Sequence, residues 1–257
     1  MIIGTAEHTS EAIIPYGPHE AQTVQLRSPA RGVSERRGVV VLIHGGYWRA
    51  RYDASLMDAL ASDLAERGWA TANVEYRRSG NGGGWPETPD DIQAALRMLA
   101  DHEWRRRFGG PLIGIGHSVG GQLALLAARQ LDAVVALAPL TDAARTYSEG
   151  LGEHAAAEFF GASPDQRPQA YAEASPVEQT PLGIPVLIVH GAGDDRVPLE
   201  HSLDYAFRAH RSGDPVDLLV LHELSHIDAI DPARPHWGAV LERLSAIVGD
   251  HDAAQAP

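Results

Sequence analysis

Short apolar runs alternating with stretches of helical periodicity constrain this chain more than any other feature. GVVVLI (38–43) is a continuous apolar run, the pattern of a strand buried on both faces. WATANVEY (69–76), PLIGIG (111–116), VVALAP (134–139), IPVLIVH (184–190) and VDLLVLH (216–222) are read as strands too. Helical segments fall between and after them at 53–67, 119–130, 199–211 and 235–248, the first with Leu56, Leu60 and Leu64 spaced by four. Thr88-Pro89-Asp90-Asp91 offers an N-cap and a proline at the first helical position, predicting a further helix to residue 101.

Strands alternating with helices predict parallel βαβ units and an α/β fold, with a mostly parallel central sheet flanked by helices on both faces. TVQLRS (23–28) is expected to add an antiparallel edge. Only residues 141–183 break the alternation. Rich in Ala, Glu, Ser and Pro, they are expected to form short helices and to act as a small cap over one end of the sheet. The expectation is one domain over 1–257, long enough to bury a sizeable core, with the tail HDAAQAP (251–257) frayed.

Composition removes whole classes of function. A formal net charge of −13 argues against a nucleic-acid partner, because phosphate binding needs a basic surface. With no cysteine, thiol catalysis and cysteine-ligated metals are excluded. All 21 basic residues are arginine, so lysine Schiff-base chemistry is excluded as well. The first residues, MIIGTAEHTSEAIIPYGPHE, lack the basic and apolar regions of a signal peptide, and the apolar runs are strand-length. A cytoplasmic protein with no membrane partner is the expectation.

GHSVGG (116–121) carries the strongest chemical signal. Gly116-His117-Ser118-Val119-Gly120 fits G-x-S-x-G and lies between the strand PLIGIG and a helix, the context this nucleophile turn demands. The turn is tight enough to need glycine on both sides, and it presents the Ser118 hydroxyl above the sheet. The helix start behind it offers the free N–H of Val119 and a dipole that favours developing negative charge. HGGYW (44–48) follows the strand VVVLI, where an oxyanion loop belongs, with the N–H groups of Gly46 and Tyr47 as expected donors. HGAGDDRVP (190–198) puts Asp194 and Asp195 at the end of another strand, and either could orient a histidine.

HELSH (222–226) matches the zinc-protease signature H-E-x-x-H letter for letter. That signature requires both histidines on a helix, one turn apart. Here His222 closes an apolar run that reads as a strand, and strand positions four apart lie about 13 Å from each other, too far to share one ion. A zinc hydrolase is therefore the remote alternative. His226 falls in the loop beyond the last strand, where the base of a Ser…Asp…His hydrolase is expected.

Together these pieces resemble the α/β-hydrolase fold from about residue 15 to 248. Within it, HGGYW and the upstream YGPHEAQTVQL are similar to the kynurenine formamidase (arylformamidase) branch and its esterase relatives. HGAGDDRVP resembles the acid loop of the prolyl-oligopeptidase group, in which the first aspartate belongs to the triad, and that carries over to Asp194. The resemblance implies acyl transfer by Ser118, His226 and Asp194, with Gly46, Tyr47 and Val119 as the oxyanion hole. The bond cleaved would be a small acyl ester or an aryl formamide, with a broad short-chain carboxylesterase as the alternative. No cofactor or metal is implied; the partner is a small-molecule substrate, and a homodimer is compatible with the sequence. Tyr47, Trp48, Tyr76 and Trp85 are the expected ring-binding residues of the substrate pocket.

Overall fold

The computed structural model describes residues 10–254. Residues 1–9, on which part of the argument against a leader rested, and 255–257 of the tail lie outside the described residues. The chain runs β1 (Ser10–Pro15), β2 (Thr23–Arg27), β3 (Val39–Ile43), α1 (Asp58–Glu66), β4 (Ala70–Glu75), α2 (Glu87–Asp101) and α3 (Glu103–Phe108). It continues β5 (Leu112–His117), α4 (Val119–Leu126), β6 (Ala133–Leu137), α5 (Ala143–Ser148), α6 (Leu151–Phe160) and α7 (Pro168–Glu173). The last elements are β7 (Val186–Gly191), α8 (Glu200–Arg211), β8 (Val216–Leu221) and α9 (His236–Ala254).

The strands form one eight-stranded sheet in the order β1-β2-β4-β3-β5-β6-β7-β8. From β4 to β8 every pairing is parallel, and β2 and β1 add antiparallel pairs at one side. The expected antiparallel addition at 23–28 is therefore present, but β1 rather than β2 is the edge. SEAIIP is too short and too mixed to announce a strand locally; it becomes one by pairing with β2.

β3 shows how the layers arise. All five of its residues are buried. Because side chains alternate along a strand, Val39, Val41 and Ile43 join the core formed with α2, α4 and α8, while Val40 and Leu42 join the core formed with α1 and α9. An unbroken apolar run is what two-sided burial requires. A third cluster lies beyond the C-terminal ends of the strands. There Val119 and Val197 meet Tyr47, Trp48, Phe159, Phe160 and Tyr171, so the helices of the 141–183 segment pack onto the HGGYW loop. The short helices expected in that segment form, and the first turn of α6 is left-handed at Gly152, Glu153 and His154.

Two local expectations are corrected. Thr88 does not cap α2, which begins one residue earlier at Glu87. The Thr88 hydroxyl instead donates to the Arg77 carbonyl at 2.7 Å, joining the helix to the chain after β4. The segment 102–108, to which the sequence pattern assigns no element, forms α3, capped by the His102 ring accepting from the Trp104 N–H at 3.2 Å.

Candidate active site

Register places the end of β3 beside the end of β5, with Ile43 paired to Gly116. The HGGYW loop and the GHSVGG turn therefore leave the sheet side by side. At Ser118 the backbone adopts φ 57° and ψ −121°, a left-handed conformation that a β-carbon disfavours and that the surrounding turn must enforce. The flanking glycines supply the room. A Cβ on Gly116 would stand 2.1 Å from the Gly120 carbonyl oxygen, and one on Gly120 would stand 2.1 Å from that of Ile43. No side chain fits at either position.

Ser118, His117, Gly46, Tyr47, Asp195, Arg196 and His226 line one cleft of about 410 Å³, completed by Tyr52, Leu56, Ser225 and Ile227. His226 comes from the loop after β8 and the acidic pair from the loop after β7. The carboxylate that meets the imidazole is Asp194, whose Oδ2 accepts from His226 Nδ1 at 2.7 Å. Its Oδ1 accepts from the Arg196 and Val197 backbone N–H groups at 2.8 and 2.9 Å. Asp195 lies at the mouth of the cleft, with a side chain 79% exposed and its Oδ1 3.7 Å from Arg196 Nε.

Burial by itself would raise the Asp194 pKa. Hydrogen bonds from His190 and His226, the charge on His226 and the Val197 N–H outweigh it and hold the carboxyl well below the usual carboxylate range. Asp194 is thus an anion whose Oδ2 fixes His226 in the Nδ1–H tautomer and leaves the lone pair of Nε2 free. The Ser118 hydroxyl and the His226 imidazole line the same cleft without a hydrogen bond between them, a looseness that resting hydrolase sites commonly show.

Among the described residues, the backbone N–H groups of Gly46, Tyr47 and Val119 donate to no protein acceptor. Val119 opens α4, where the first N–H groups of a helix have no intrahelical partner. Tyr47 and Trp48 both have positive φ, 51° and 56°. Such strain concentrates at functional turns, and here two further bonds hold the loop: the Tyr47 hydroxyl donates to the Arg196 carbonyl at 2.6 Å, and the Trp48 carbonyl accepts from the Ser79 N–H at 2.8 Å.

Of the four aromatic residues expected in the pocket, only Tyr47 lines the cleft with Ser118. Trp48 is fully buried, stacked on Phe159 at 4.6 Å with its indole N–H on Gln122 at 2.9 Å. Tyr76 is fully buried as well, stacked on His44 at 4.3 Å and donating to the His44 carbonyl at 2.7 Å. Both are core residues, because packing and an internal partner for the polar atom satisfy them completely. Trp85 lines a separate groove with Pro89, Leu125 and Arg129. Tyr52 supplies the second ring at the cleft.

His117 is a residue that sequence reasoning passed over, although it stands inside the motif. Its Nε2 donates to the His226 carbonyl at 2.9 Å, and the two imidazole rings lie 4.6 Å apart. Burial, and then the neighbouring His226, push its pKa down to about 3, so it stays neutral and serves as a fixed donor to the His226 carbonyl. HELSH is not helical: residues 222–226 form a turn and loop after β8, with His222 exposed. Among the described residues, no group of three or more His, Asp or Glu side chains is placed to hold a metal ion. No helix among them is long and apolar enough to cross a membrane.

Eight strands in this order, a strained serine at the turn from β5 into α4, and an aspartate–histidine pair carried by later loops define an α/β-hydrolase fold. The chain belongs to the BD-FAE family, whose model matches residues 25–208. It is similar to the probable carboxylic ester hydrolase LipM of Mycobacterium tuberculosis, 27% identical over an alignment of 281 positions that takes in 94% of this chain. The matched part is 62% of that relative, so the chain spans about three-fifths of its length. Among solved structures, a truncated carbohydrate esterase from gut microbiota superposes with a TM-score of 0.82 at 17% identity, covering 96% of this chain and 100% of that one. Thermogutta terrifontis esterase 2 phosphonylated by sarin superposes at 0.72 and 19% identity, covering 93% of each chain.

Proposed function

We propose that this protein is a serine hydrolase of small carboxylic esters, acting through an acyl-enzyme on Ser118. The observation that carries the reading is the 2.7 Å bond from His226 Nδ1 to a buried Asp194, beside the cleft that the strained Ser118 lines. In the first step Ser118 Oγ attacks the ester carbonyl while His226 Nε2 takes its proton. The carbonyl π pair moves onto oxygen, where the N–H groups of Gly46, Tyr47 and Val119 receive it. Collapse breaks the bond to the leaving oxygen, which takes the proton back from His226. Water then repeats the sequence on the acyl-serine and releases the acid.

The ester resemblance of the relatives supports this bond type. The finer expectation, an aryl formamide, rests on the same machinery but needs ring surface beside the carbonyl. With Trp48 and Tyr76 in the core, Tyr47 and Tyr52 are the aromatic residues left on the cleft. A cleft of about 410 Å³ lies toward the small end of the range for small-molecule pockets.

The test is a panel of p-nitrophenyl acetate, butyrate and octanoate beside N-formylkynurenine, read as kcat/KM, with Ser118→Ala as control. Acetate and butyrate are expected to exceed octanoate, and a fluorophosphonate is expected to label Ser118 alone. Ester turnover that survives Ser118→Ala would refute the nucleophile. Preference for the formamide over every ester would replace the ester reading by the formamidase one.

A further inference from the structure

Beneath the HGGYW loop lies a buried polar group that the mechanism above leaves unused. His44 is fully buried, with Nδ1 2.7 Å from the Gly45 carbonyl oxygen and Nε2 3.0 Å from Arg78 Nη1. A carbonyl oxygen can only accept and a guanidinium can only donate. His44 Nδ1 therefore carries a proton, which it donates to the Gly45 carbonyl, while Nε2 faces the Arg78 guanidinium. Arg78 is only 4% exposed and is held in turn by the Glu75 carboxylate, whose Oε1 lies 3.4 Å from His44 Nε2.

The consequence lies in the peptide that His44 grips. The Gly45 carbonyl and the Gly46 N–H belong to one planar trans unit and point in opposite directions. Drawing the oxygen toward the buried His44 ring turns the Gly46 N–H the other way, and Gly46 lines the cleft. Two successive glycines give this segment little resistance to a peptide flip of its own, and Gly46 sits at φ 117°, where only glycine is comfortable. The Tyr76 hydroxyl fixes the preceding peptide through the His44 carbonyl. We infer that His44 is a positioning residue for the oxyanion hole, aiming the Gly46 N–H through its bond to the Gly45 carbonyl. The inference rests on the serine-esterase reading.

The experiment compares His44→Phe, His44→Asn and His44→Asp on p-nitrophenyl acetate. Each kcat is divided by the serine titrated with a fluorophosphonate, KM is measured separately, and Tm reports folding. Phe keeps a ring against Tyr76 but has no donor, so kcat per titrated serine is expected to fall by about 10²-fold, the scale of one lost oxyanion donor, with KM little changed. Asn places an N–H near the position of Nδ1 and is expected to recover at least about tenfold of that loss, while its isostere Asp is not. Should the Phe variant not fold, the Asn–Asp pair carries the comparison. Equal kcat in Asn and Asp, or a wild-type rate per titrated serine in Phe, overturns the inference. A wild-type protein with no ester turnover and no labelled Ser118 would instead mark failure of the esterase reading, and with it the ground for this one.

Discussion

Asp194→Asn tests the assignment of the orienting acid most directly, because the structure leaves an asparagine no good arrangement. Oδ1 accepts two backbone N–H groups and Oδ2 accepts the His226 Nδ1–H, so all three are donors aimed at an acceptor-only group. An asparagine has one oxygen and one NH₂. If its oxygen faces His226, the NH₂ opposes the Arg196 and Val197 N–H groups. If its oxygen faces the backbone, the NH₂ opposes His226 Nδ1–H. The second arrangement is relieved when His226 moves its proton to Nε2, and that tautomer can no longer accept from Ser118. The corresponding substitution in a well-studied serine protease lowers kcat by about 10⁴-fold. At about 1.4 kcal/mol per decade that is about 5 kcal/mol of barrier. With the Asp194 side chain 1% exposed, water has little access to soften the mismatch, and a loss of that order is expected here. The assay is kcat for short-ester hydrolysis, normalised to serine titrated with a phosphonylating reagent, for Asp194→Asn and Asp195→Asn in parallel. The Asp195 variant is expected to stay within about threefold of wild type, since its carboxylate is exposed. Near-wild-type turnover in Asp194→Asn, or a crippled Asp195→Asn, would refute the reasoning.

Two further outcomes follow from buried geometry. His117 has its pKa lowered from 6.5 to about 3, chiefly by burial, so the unfolded chain binds a proton that the folded one refuses, and stability is lost as pH falls from 6.5 toward 3. His117→Gln keeps an N–H donor for the His226 carbonyl but cannot titrate. Between pH 6.5 and 4 it is expected to lose up to about 3 kcal/mol less stability than wild type, as read by urea denaturation, and identical losses would contradict the buried neutral imidazole. Gly120→Ala would drive a methyl into the Ile43 carbonyl 2.1 Å away, where neither backbone can yield cheaply. A loss of about 3 kcal/mol or more is expected, with activity reduced further because α4 carries the Val119 N–H; an unchanged denaturation midpoint would show that the elbow relaxes.

The parts legible in the sequence are those written in local patterns. The two-sided apolar run of β3, the strand-to-helix change at Ser118, and the glycine spacing around it are properties of a few consecutive residues, and they place the three chemical loops at strand ends. Alternation of strand and helix then leaves few ways to arrange the sheet, because parallel neighbours need helical crossovers. The rest depends on contacts that no local pattern encodes. By residue type Asp194 and Asp195 are equivalent; the resemblance of their loop singles out Asp194, but the contact that gives it that place spans 32 positions to His226. His117 acquires its role from a carbonyl 109 positions away. Trp48 and Tyr76 look like pocket residues by type and position. They lie in the core because Phe159 of α6 stacks over one and the His44 ring over the other. An aromatic side chain is satisfied equally by substrate or by core, and only the tertiary packing around it determines which it meets.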